Sequence, residues 1–289
     1  MADPRTTHSR SEVVNTIALL ADEHDFAAMR RYSSFPFTDH AQYLNHIDDL
    51  LRTLAAEDGH ITVTLFDPED FADFCADTGF DPDDATSRAH YTADCAATGP
   101  RTTYTGQPLI DLIHTLVDTA VRHATHEFAT MLLDGAGSCP GCDQDLGEMA
   151  VTHATSLLLR LLGAAGPGTH HLVCSVPAVD EQLLAEFHAI GDSTRCTAHG
   201  ADDIHIRTVL AVGLLLGSRG GLVLRTVTPD APDRLHGWSL SHGRLHPLTE
   251  AEVFNAYCTD ARTGEPISPE SGVEYRAGFP LAPDNHVHA

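Results

Sequence analysis

The sequence predicts an α+β protein, with a helix-rich N-terminal half from Ser11 to about Leu162 packed on a smaller mixed or antiparallel sheet built from about His170 onward. Three observations carry this expectation. Apolar residues recur at three- and four-residue spacing through the first half, the period of a helix face. After the glycine-rich stretch Gly163 to Gly168 the texture changes to short alternating runs, the period of a strand. Two of those runs are joined by Ser241, His242 and Gly243, a hairpin turn. The division gives a helix-rich region with one strand at 1–162 and a mixed region with a hairpin and a Pro/Gly-rich tail at 163–289, together able to form one compact domain.

Taken in order, Asp39 opens a helix that carries Tyr43, Leu44, Ile47, Leu50, Leu51 and Leu54, and Gly59 ends it. Ile61 to Phe66 alternates with threonine as a strand does. Asp67 followed by Pro68 is an N-cap with proline at the first helical position, and Asp81 with Pro82 repeats the device. Gln107 and Pro108 start a long helix whose apolar stripe runs through Leu109, Leu112, Leu116, Phe128 and Met131 to Gly135. A second helix follows from about Asp143 to Leu162, close enough to lie against the first. Beyond it come a strand at His171 to Val176, a helix at Asp180 to Ala189, a buried apolar run at Ile204 to Leu216 and a strand at Leu222 to Val227. The hairpin pairs Leu240 with Leu245, and Thr249 with Glu252 makes a capping box for the next helix.

Composition bounds the function. Forty-one acidic residues against 17 basic ones leave a net charge of -24, which repels the phosphate backbone on which nucleic-acid affinity rests. Nucleic acid is therefore excluded as the expected partner. All 17 cations are arginine, so a Walker A loop, a pyridoxal Schiff base and a kinase ATP-binding lysine cannot be built. No G-x-S-x-G elbow and no G-x-G-x-x-G fingerprint is present either. Seven cysteines, an odd number spread over 289 residues, do not form a disulfide framework. No apolar run approaches the length of a membrane span, and no secretory signal is read at the N-terminus, so a cytoplasmic, reducing location is expected.

Cys139-Pro140-Gly141-Cys142 is the sharpest local signal. Two thiolates separated by a Pro-Gly turn can point both sulfurs at one ion, at Zn–S distances of about 2.3 Å. These four residues resemble the knuckle of zinc ribbons and rubredoxin-like sites. The resemblance implies a glycine after the second cysteine and a second knuckle; Asp143 stands in the first place, and no second C-x-x-C exists. Cys196 and His199, a C-x-x-H pair, are the expected completing ligands, which gives a Cys3His zinc site, with Cys174 and His153 in reserve. A redox dithiol is a further reading of the same pair, although thioredoxin-type motifs follow a strand rather than a helix.

Most of the 20 histidines have simpler roles. His114, Asp118 and Arg122 fall at four-residue steps on the long helix, with His126 and Glu127 one turn on, and read as a solvated face. His123 to Glu127 fits neither zincin spacing. In the hairpin, His236 shares a face with Trp238 and Leu240 whereas His246 lies beside Ser239 on the other, so the two cannot chelate one ion. The function expected from these features is a non-enzymatic regulatory or partner-binding protein with a structural zinc and an acidic surface for a basic protein partner. The alternatives are a metal-dependent hydrolase with a His/carboxylate site and a thiol redox protein.

Overall fold

Among the described residues six helices begin before the larger sheet, the sixth ending at Ala165, the segregation that defines an α+β chain. The computed structural model describes residues 14–57, 60–179, 181–191, 196–198, 202–260 and 263–281. They divide into two units, Met1–His123 and Ala124–Ala289, and the chain passes from one to the other inside a single helix.

In the first unit the order is β1 (Val14–Leu19), α1 (Glu23–Met29), α2 (His40–Ala56), β2 (His60–Leu65), α3 (Pro68–Thr78), α4 (Ala85–Thr98) and β3 (Arg101–Thr103), before α5 (Leu109–Asp134) begins. The strand expected near Ile61 thus has two neighbours. β1 lies parallel to β2 with Ile17 opposite Val63, and α1 and α2 make the long crossover that a parallel pair requires. β3 closes the other side antiparallel, with Thr102 opposite Val63.

Aspartates cap these helices. Asp22, Asp39, Asp67 and Asp84 each accept backbone N–H groups from the first turn that follows, an arrangement worth about 0.5–2 kcal/mol per helix. Part of the chain's aspartate excess is therefore structural. The cap of α4 is Asp84, not the expected Asp81. Asp81 instead folds the turn ahead of the helix: its carboxylate accepts the Asp83 N–H, and its carbonyl accepts the hydroxyl of buried Ser87. Leu51, Val63, Phe71, Leu112 and Leu116 centre the core, and rings of Phe26, Phe35, Phe37, Tyr43, Phe66, Phe71 and Tyr91 meet edge-on or tilted around it. The few aromatic residues of the chain are concentrated here.

In the second unit the end of α5 is followed by α6 (Leu146–Ala165), β4 (Gly168–Ala178), β5 (Glu181–Gly191), β6 (Cys196–Ala198), α7 (Asp202–Leu216), β7 (Gly220–Val227), β8 (Asp233–Ser241), β9 (Arg244–Pro247), α8 (Glu250–Tyr257) and β10 (Val273–Arg276). The sheet runs β10-β8-β7-β4-β5-β6, with β9 on β8; β10 is parallel to β8, and the other pairs are antiparallel. One sheet face presents Leu172, Cys174, Val176, Leu183, Ala185, Phe187, Leu222, Leu224 and Trp238 to the same core as Leu158 and Leu161 of α6 and Ile206, Val209 and Leu210 of α7.

The hairpin keeps the expected register, with Leu240 opposite Leu245 and Ser239 opposite His246. The helix expected at Asp180 to Ala189 is instead β5. Its Leu, Gln, Glu and Ala content favours a helix, but Leu183, Ala185, Phe187 and Ala189 are all buried at alternate positions, and pairing along the full length of β4 decides the outcome. The stripe on α5 is also narrower than its composition implies. Leu112, Leu116, Ala129 and Leu133 are buried, whereas Met131 is 58% exposed.

Candidate metal centre

The C-x-x-C segment is a tight reversal between α5 and α6, both close to it in sequence. Ser138 bridges Asp145, the Cys139 N–H donates to the Gln144 carbonyl at 2.8 Å, and the Asp143 N–H donates back to the Cys139 carbonyl at 2.9 Å. Gly137 supplies a left-handed residue before the turn, at φ 73°, and its carbonyl accepts the Leu146 N–H. Asp145 then caps α6 by accepting the Glu148 N–H at 2.8 Å. Gly147 lies against the α5 backbone: a Cβ there would come within 2.6 Å of the Leu133 carbonyl oxygen.

Cys139 and Cys142 come together in this turn. The Gly141 N–H, the Cys142 thiol and the Cys142 N–H all direct hydrogen bonds at the Cys139 sulfur and hold its thiol below the ordinary cysteine value. Amide donors on a sulfur from the second and third residues after it stabilise the thiolate form, which is the form that ligates metal. Asp143, where the resemblance implies glycine, has φ 59° and so adopts the left-handed backbone itself. Cys139 is half-buried and Cys142 exposed, with the Cys142 sulfur 3.6 Å from Gln144 Oε1. Two soft donors in this geometry suit a thiophilic ion such as zinc.

The other expected ligands are placed less fully. Cys196 begins β6, its backbone opposite Gly191, but its side chain and His199 lie outside the described residues. Cys174 is in the core on β4, where burial pushes its thiol up to about 12 and removes it from consideration as a thiolate. His153 is half-buried on α6. On α5, His114 and Asp118 are exposed in the first unit, while His126 is half-buried in the second.

Two further arrangements lie outside the motifs that the sequence singles out. Asp22, His24 and Asp25 bring one ligand atom each within 4.8 Å of one another, the only such group of three or more among the described residues. This cluster is at the surface, and Asp22 already uses a carboxylate oxygen to cap α1. Second, the rings of His126 and His205 meet edge to face at 6.2 Å between centroids.

Residues 4–107 match the family model of a domain of unknown function (DUF8829). No curated protein and no solved structure matches the chain. Among the described residues no helix is long and apolar enough to cross a membrane.

Proposed function

We propose that the chain is a cytoplasmic, partner-binding protein whose Cys139–Cys142 knuckle holds a structural zinc ion, with Cys196 and His199 as the completing ligands. The observation that carries this reading is the thiolate-stabilising turn: amide hydrogen bonds on Cys139 and a left-handed Asp143 in the place of the usual glycine. Two thiolates on one turn would fix the loop that joins α5 to α6, and free thiols at Cys75, Cys95 and Cys258 fit a reducing compartment. The charge of -24 supports a partner with a basic surface.

Elemental analysis of untagged protein is expected to find zinc that a Cys142→Ser variant lacks. That variant is also expected to lose stability, by about 4 kcal/mol where free zinc stands a thousandfold above its dissociation constant. Metal-free protein with unchanged stability would remove the reading. A basic partner's affinity should fall steeply with added salt, and a salt-insensitive complex would exclude charge as its basis.

The same lowered Cys139 thiol, beside an exposed Cys142, favours a redox dithiol as the second reading. It requires a Cys139–Cys142 disulfide that forms reversibly under mild oxidation, which a persistently bound metal would prevent.

A further inference from the structure

His126 on α5 and His205 on α7 both belong to the second unit. His205 stands in the first turns of α7 and is only 6% exposed, next to Ile206, which is wholly buried. The His126 ring meets it at 6.2 Å between centroids with the planes 82° apart. The Nδ1 atom of His126 is sealed from solvent and makes no hydrogen bond among the described residues.

Packing of two rings edge to face accounts for the angle but leaves that nitrogen with nothing to meet, an arrangement that buried polar atoms seldom keep. A bound ion accounts for both. Imidazoles that share one ion at metal–nitrogen distances of about 2.0–2.1 Å hold their centroids roughly 5 Å apart at a tetrahedral ion and up to about 6.4 Å apart when they oppose each other across it. The observed spacing lies at the wide end of that range, so a tetrahedral ion would draw the two rings together by about 1 Å.

We propose that His126 and His205 are two ligands of a second metal site, separate from the knuckle, for a divalent transition ion of borderline softness such as zinc or cobalt. Imidazole suits these ions, whereas calcium and magnesium require oxygen donors. The sequence offers no motif here, because the two histidines come from helices far apart in the chain. Their convergence is a product of the fold.

Cobalt(II) titration of the untagged full chain separates the two sites. Wild-type protein is expected to take up two equivalents, one of them giving the near-ultraviolet thiolate-to-cobalt band. A Cys139→Ser/Cys142→Ser variant should lose that band and keep one equivalent, and adding His126→Gln should abolish it. His205→Gln should do the same, but its site is buried, so half-buried His126 carries the test, with circular dichroism and the fluorescence of Trp238 reporting the fold. A double-serine variant that binds no cobalt, or a folded His126→Gln protein that titrates as its parent does, overturns the proposal. A wild-type protein with no thiolate band but one His126-dependent equivalent would overturn the knuckle and leave this site standing.

Discussion

Asp143 illustrates how much one residue of the knuckle decides. Its φ of 59° places it in the left-handed region, which costs most L-residues about 1–2 kcal/mol and aspartate somewhat less. Its N–H donates to the Cys139 carbonyl and must stay where it is. Asp143→Gly keeps that N–H and removes the Cβ penalty, against a glycine entropy cost of about 0.5–1 kcal/mol, so a gain of a few tenths of a kcal/mol is expected with zinc stoichiometry unchanged. Asp143→Val, β-branched at the same φ, should lose about 1–2 kcal/mol. Urea titration of the two variants reads both signs, and a stabilised valine variant would refute the backbone argument. The departure of Asp143 from the glycine pattern was legible in the sequence because it concerns four or five adjacent residues. The meeting of His126 and His205 was not, since neither residue belongs to a local motif and only the packing of separate helices brings them together.

Elements were legible where one local rule acted alone. The β8–β9 register followed from the turn and the alternation, and the capping box of α8 from Thr249 and Glu252, whose side chains and backbones bond reciprocally. β5 was misread because helix propensity and strand alternation disagreed over the same residues, and the arbiter, β4, lies across a turn. The α5–α6 junction rests on a similar nonlocal contact. In α6, Gly147 touches the Leu133 backbone, so Gly147→Ala must push two helices apart and is expected to cost about 1–3 kcal/mol. Gly163 in the same helix is exposed, and a Cβ there meets nothing within 4 Å. Gly163→Ala should therefore gain up to about 1 kcal/mol from helix propensity. Equal effects in chemical denaturation would show that helix propensity alone governs α6.

For the whole molecule, acidification sets two effects against each other. Protonating exposed histidines reduces the net charge of -24 and relieves self-repulsion, which stabilises the folded chain. Buried His170 and half-buried His171 and His236 of the second unit act the other way. Burial lowers the values of His170, His171 and His236 below the ordinary one, helped by the charge of neighbouring His188 at His171 and of Arg234 at the other two. His170 is held at both ring nitrogens, with Nε2 donating to the Gly166 carbonyl and Nδ1 facing the Thr226 hydroxyl. Folded values below unfolded ones mean that the unfolded chain binds more protons in this window. The stability these three residues contribute is therefore complete above about pH 6.5 and is lost as pH falls from there through their folded values. At about 0.15 M salt the Debye length is about 8 Å, so diffuse surface repulsion is screened, whereas the desolvation of the rings by burial, complete at His170, is not. Stability at that ionic strength should consequently fall on acidification through about pH 6.5. Trp238, the single tryptophan, is buried in the second unit and reports that unit's unfolding. A His170→Gln variant should show a shallower decline, because one of the three protonation sites is gone. If the tryptophan-detected midpoint instead rises on acidification at this salt, relief of surface charge outweighs the buried histidines and the ordering of the two effects is reversed.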